Sequence, residues 1–144
     1  MAETVQAVLD SMVPALNDFV HLNIFTEAEV KSLVDRRRTW EYLLIRKETR
    51  KGDWLEYAAF EMNLLKLHSM RKGRAGSAPL SPSSPSQFHI EQHIHFIFTR
   101  ALRKFKGDVT MWMQYIDFAK KNDSRKKVRA GAKRQQKLDA VLLS

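Results

Sequence analysis

The pattern Trp-x-x-Tyr-x-x-Phe occurs twice in this chain, at Trp54, Tyr57 and Phe60 and again at Trp112, Tyr115 and Phe118. Each copy follows a Gly-Asp pair, Gly52-Asp53 and Gly107-Asp108. Three residues is close to one turn of an α-helix, so each set of aromatics lies along a slowly drifting stripe that another element must cover. A helix-length pattern met twice points to a repeat built from paired helices. Alternation of apolar and polar residues over a strand length, bounded by hairpin turns, occurs nowhere. The fold class is therefore all-α.

The remaining helices follow from local signals. Residues 3–22 carry Val5, Val8, Leu9, Met12, Leu16, Phe19 and Val20 at helical spacing, interrupted by Pro14. That proline either kinks one helix or sits in the first turn of a second. Thr26 and Glu29 form a capping box for a helix expected to run to about Arg50, with Val30, Leu33, Val34, Trp40, Leu43 and Leu44 on its apolar side. Three arginines in a row, Arg36 to Arg38, cannot share a face; they read as solvated surface with alkyl stems covering the core edge, direct contact with RNA or an acidic partner being the alternative. Asp53 reads as the cap of the next helix, with Glu56 in the reciprocal position and Trp54, Tyr57, Phe60, Leu64 and Leu67 as its buried stripe. Helical periodicity resumes over Phe88–Phe105. Gly107 and Asp108 end that helix and cap another, over 109–121, whose apolar face is Trp112, Tyr115, Ile116 and Phe118.

Between these helices, residues 73–87 are rich in Ser, Pro and Gly and read as a disordered linker. Ser81 and Ser84 each precede a proline there, a weak signal for phosphorylation. Organisation is read as an N-terminal helical region 1–50, a repeat region 51–121 containing the linker, and a basic tail 122–144. Residues 120–137 hold nine Lys and Arg against Asp123 alone, a net +8 of the chain's +9. The basicity thus belongs to the tail. Arg125, Lys126, Lys127, Arg129, Lys133 and Arg134 are the candidates for weak, nonspecific RNA contact through phosphates. No aromatic residue interleaves them to stack on bases, and a solvated tail or nucleolar import signal reads equally well. Leu138, Val141, Leu142 and Leu143 give the tail an apolar end, and a helix over 124–143 is one way to use it.

The aromatic helices carry a resemblance. Trp54, Tyr57, Phe60 and Glu61 resemble the first helix of a half-a-TPR, or HAT, repeat. Arg100-Ala101-Leu102 in the following helix resembles the second helix, and Trp112, Tyr115 and Phe118 resemble the start of another repeat, with Ala119 where the motif has Glu. Beyond the repeat, Asn23-Ile24-Phe25-Thr26-Glu27-Ala28-Glu29, the arginine-rich helix and Asp53-Trp54-Leu55-Glu56-Tyr57-Ala58-Ala59-Phe60-Glu61 are similar to the N-terminal region of the Utp-six family. The likeness covers about residues 3–121 and is most specific over 16–67. It implies antiparallel helix pairs of HAT/TPR-like solenoid type and a HAT-repeat subunit of the small-subunit processome, associated with U-three small nucleolar RNA. Its expected partners are processome proteins and a small nucleolar ribonucleoprotein, in the nucleolus of the nucleus, with the six motif aromatics as repeat-packing residues. Family members continue through further HAT repeats, whereas here the basic tail follows the helix begun at Asp108.

Other chemistry finds little support. Cysteine is absent, which removes disulfides, thiolate metal sites and thiol nucleophiles. His89 and His93 are four apart, as in a zinc-binding helix, but Glu91 lies between them, His95 points elsewhere and no third ligand is near. They read as partly exposed helix histidines, and no metal or cofactor is expected. No nucleophile, base and acid fall into a catalytic arrangement, so an enzyme is not expected. No apolar run approaches the roughly 20 residues that span a bilayer, and residues 1–20 carry acids without Lys or Arg, unlike a presequence. A soluble, intracellular protein without a membrane partner is the expectation.

Overall fold

The structure is a computed structural model, and it describes residues 2–46, 48–72, 85, 86 and 88–122. Most of the proposed linker and tail, including Ser81, Ser84 and all six candidate RNA-contact residues, lies outside that set. Five helices follow in order: α1 Ala2–Ser11, α2 Val13–His21, α3 Glu27–Leu44, α4 Lys51–Arg71 and α5 His89–Lys104. Residues 109–122 are also helical and are labelled α6. Among the described residues there is no strand, so the protein is all-helical. The described residues divide into two compact units, one up to Lys104 and the other from Phe105 on.

Local chemistry sets most boundaries. Pro14 falls in the first turn of α2, where its missing N–H has no partner to lose. The second of the two readings therefore holds. Asn23 takes the left-handed conformation, φ 59°, just past the end of α2. The N–H of Asn23 then donates to the Val20 carbonyl at 3.1 Å and that of Ile24 to Phe19 at 3.0 Å. This Schellman closure turns the chain and drops Ile24, with no exposed surface, into the core. The capping box of α3 is present, with the Glu29 N–H donating to Thr26 Oγ1 at 3.1 Å and the Thr26 N–H to Glu29 Oε1 at 3.0 Å.

Two expected boundaries move. The helix begun at Thr26 stops at Leu44, short of Arg50. In the connection that follows, Lys104 donates to the Arg46 carbonyl at 3.3 Å and to the Thr49 hydroxyl, so polar groups there are satisfied from α5 instead of by further helix. At the start of α4, Asp53 is not the cap. It sits in the first turn, and its carboxylate reaches back to accept the Arg50 N–H at 2.9 Å. Ser86 also departs from a contact-free linker, since it is buried and donates through N–H and hydroxyl to the Asp18 carboxylate, tying the approach to α5 onto α2.

In the first unit, α3 runs antiparallel to α4 and α4 antiparallel to α5. The order of contacts shows it: Arg37 meets Glu61 while Glu41 meets Tyr57, and His93 meets Tyr57 while Arg100 lies over Trp54. α1 and α2 pack on α3. Phe19 is wholly buried, edge-on to Phe25 at 5.1 Å, and Ile90, Ile94, Ile97 and Phe98 present the buried side of α5. In the second unit, Asp108 Oδ1 accepts the Met111 N–H at 3.0 Å, the cap expected for α6, while Gly107 takes φ 83° before it.

Candidate functional site

The interior of the first unit is polar in a way the aromatic pattern does not announce. Arg37 and Glu61, on α3 and α4, are both fully buried and pair through two parallel contacts, Nε to Oε1 at 2.7 Å and Nη2 to Oε2 at 3.0 Å. Arg37 Nη1 lies 2.8 Å from His89 Nε2 and 3.3 Å from Met12 Sδ. A guanidinium can only donate, so the His89 Nε2 is an acceptor and its proton sits on Nδ1. Alongside, the Tyr57 hydroxyl donates to Glu41 Oε1 at 3.0 Å and lies 2.7 Å from His93 Nε2. With its proton committed to the carboxylate, Tyr57 accepts from His93, which is therefore the opposite tautomer. Arg100 closes the network on Glu41 with two bonds of 2.8 and 2.9 Å, while its guanidinium lies 3.8 Å from the Phe96 ring centre.

Burial sets the protonation states. It pushes the His89 imidazole down to about 3, and the Arg37 guanidinium beside it adds to the effect. His93 is held well below its ordinary value, by burial first and Arg37 second. Burial also raises the Tyr57 hydroxyl far above its usual range, with the Glu41 and Glu61 carboxylates reinforcing the shift. Both histidines are neutral at neutral pH, which keeps two arginines and two glutamates in balance. A buried ion pair of this kind fixes which helix faces meet, since any other register would leave a charge unpaired at a cost of several kcal/mol.

These positions correct three expectations. Of the three arginines, Arg36 and Arg38 lie at the surface, but Arg37 is wholly buried because Glu61 faces it. His93 is a buried core residue, 6 % exposed, and not a partly exposed one. The buried ridge of α4 is Trp54, Tyr57, Ala58, Glu61, Leu65 and His68, whereas Phe60, Leu64 and Leu67 stand half-buried at its flank. A signal for this existed: Glu61 continues the helical phase of Trp54 and Tyr57, and Arg37 continues that of Leu33, so charges of opposite sign occupy apolar positions on adjoining helices.

The repeat-packing residues divide. Trp54 is 5 % exposed, donates from Nε1 to Thr49 Oγ1 at 3.3 Å and carries Arg100 over its ring; Tyr57 stacks on Trp40 at 5.5 Å. In α6, Phe118 is buried and Tyr115 half-buried, but Trp112 is 46 % exposed, against expectation. Ile116 is exposed as well, and the residues α6 buries with Phe118 are Met111 and Asn122. Val109 at 68 %, Trp112 at 46 %, Met113 at 65 % and Ile116 at 46 % exposure share i, i+3, i+4, i+7 spacing. They make a continuous apolar stripe facing water, the arrangement of a helix that lays its side against a partner. Among the described residues no cluster of three potential metal ligands occurs, and no helix is long and apolar enough to cross a membrane.

Residues 9–95 match the sequence model of the family described as U3 small nucleolar RNA-associated protein 6. The chain belongs to that family. The matched stretch holds Met12, Arg37, Glu41, Tyr57, Glu61, His89 and His93, all of the buried network except Arg100. U3 small nucleolar RNA-associated protein 6 of Schizosaccharomyces pombe is 36 % identical over 121 residues, 84 % of this chain and 24 % of the relative. The Homo sapiens homolog is 31 % identical over 84 % of this chain and 20 % of its own length. That of Dictyostelium discoideum is 24 % identical over 81 % of the chain and 19 % of its own. The chain thus spans about a quarter to a fifth of these relatives.

Proposed function

We propose that this chain is a non-enzymatic helical scaffold of the small-subunit processome, acting in pre-ribosomal RNA processing and small-subunit biogenesis in the nucleolus. Family membership supports the setting, because the relatives are named for association with U3 small nucleolar RNA. The observation that carries the scaffold reading is the stripe of Val109, Trp112, Met113 and Ile116, exposed on one side of α6. A helix face of that kind gains by burial against protein, each large side chain contributing about 1.5–3 kcal/mol when fully covered. On this reading α4 and α5 are one HAT pair and α6 begins another. Processome proteins are the partners, and the small nucleolar ribonucleoprotein is reached through them.

A second reading rests on the charge of residues 120–137. There Arg125, Lys126, Lys127, Arg129, Lys133 and Arg134 hold RNA phosphates directly, with little base choice and a steep salt dependence. Recovery of processome proteins and U3 small nucleolar RNA with the tagged chain separates the two. Serine at Val109, Trp112, Met113 and Ile116 abolishes recovery of both in the scaffold reading, while glutamine at the six tail residues leaves the proteins in place. Loss of everything with the tail variant alone, and nothing with the α6 variant, overturns the scaffold reading.

A further inference from the structure

Two cavities lie along α3 and share Ser32 and Arg36. The smaller, about 210 Å³, opens between α3 and α4 and is walled by Phe25, Leu33, Phe60, Leu64 and Leu67. The larger is an open depression along the outer side of α3 alone, past Lys31, Asp35, Thr39 and Trp40. At their junction the Arg36 guanidinium lies 5.5 Å from the centre of the Phe60 ring. Two carboxylates that line these cavities, Asp35 and Glu29, are already engaged. Asp35 pairs with Arg38 at 3.0 Å, and Glu29 pairs with Arg71 at 2.6 Å and holds its cap. Arg36 and Lys31 have no carboxylate partner among the described residues. An apolar recess is thus flanked by two cations outside any ion pair, with Glu27 one turn from Lys31 in a neighbouring recess.

We propose that this groove is a second docking site, for an acidic segment of a protein partner that seats one bulky apolar side chain among Phe60, Leu64 and Leu67 and sets carboxylates against Arg36 and Lys31. Room for an anchor between two helices, with cations at the rim, matches peptide recognition by groove and charge together. Nucleic acid fits the same features poorly. Base stacking needs an open aromatic face, and Phe60 already carries Arg36; two cations also give few phosphate contacts. The groove shares no residue with the α6 stripe, so either reading can fail without the other.

The test uses the full chain and an acetylated probe peptide, Ser-Asp-Glu-Phe-Asp-Glu-Ser. Because a basic tail attracts any acidic peptide, binding is read at the methyl resonances of Leu33, Leu64 and Leu67, and a tail variant with glutamine at Arg125, Lys126, Lys127 and Arg129 serves as control. The expected result is saturable shifts of those methyls, unchanged within about twofold in the tail variant and weakened about tenfold or more by Arg36→Glu. Arg36 is exposed, so that variant retains the helical spectrum of the parent. It also gains affinity for the peptide with lysine in place of its four acids. Three results overturn the proposal: no shift at the groove methyls, binding lost with the tail but not with Arg36→Glu, or displacement of the peptide from those methyls by oligouridylate.

Discussion

α4 and α6 carry the same three aromatics and use opposite ends of them. In α4 the tryptophan and tyrosine are buried and Phe60 stands at the flank; in α6 the phenylalanine is buried and Trp112 faces water. Helix geometry explains how both are possible. Residues three apart differ by about 60° around the axis, so a Trp-x-x-Tyr-x-x-Phe triple sweeps about 120° and no single neighbour covers all of it. The motif fixes that a helix has an aromatic side, and the packing partner decides which third of it becomes core. For α4 the partner surfaces are Trp40, Glu41 and His93, which surround Tyr57, and Arg100, which covers Trp54. The two copies therefore differ in what they bury, one giving its tryptophan and tyrosine to the interior and the other leaving its tryptophan at the surface.

If the buried network is what holds α4 in its orientation, breaking it should erase the difference between the copies. Arg37→Met leaves Glu61 buried without its cation and is expected to cost about 3–5 kcal/mol in urea unfolding. Arg37→Met with Glu61→Leu recovers most of the loss, because no charge is then left alone. Tyr57→Phe, which strands the His93 N–H and removes a donor from Glu41, is expected to cost about 1–3 kcal/mol by the same measurement.

The pH dependence of stability sharpens the same contrast. His89 and His93 lie in the network and His68 is packed at 5.5 Å against Phe19, with burial pushing His68 down to about 4 and Lys72 adding to it. A histidine whose folded value is depressed binds its proton more readily in the unfolded chain, so its neutral form stabilises the fold above the unfolded value near 6.5. That stability falls as pH drops from about 6.5 toward 4, by up to about 1.4 kcal/mol per pH unit for each histidine. Thermal melts between pH 7 and 4.5 check the sign. The smallest effect expected is at His68, whose Nε2 has no hydrogen-bond partner among the described residues. His68→Phe should raise stability by about 1 kcal/mol at neutral pH and more at pH 5, flattening the acid slope.

What the sequence made legible was local. The Thr26–Glu29 box and the Gly107–Asp108 cap each depend on residues within one turn, and the structure has both, whereas Pro14 left two readings open between which only the structure decides. The all-helical class followed from periodicity. The buried network was hidden because it depends on which helix faces which: Arg37 looks like its neighbours Arg36 and Arg38 until Glu61 is placed opposite it. The end of α3 was misjudged for a related reason, since the groups that satisfy its connection come from Lys104, far along the chain. Exposure of Trp112 could not be read from spacing, because the same spacing buries Trp54.

Urea unfolding of Trp54→Ala and Trp112→Ala in the full chain, followed by far-ultraviolet circular dichroism, tests the division of labour most directly. Trp54→Ala should lose about 3–5 kcal/mol, the cost of emptying a packed core site. Trp112→Ala should lose less than about 1 kcal/mol, as a surface change does. Equal losses at the two tryptophans, or a larger one at Trp112, would contradict the assignment of Trp54 to the core and Trp112 to the surface.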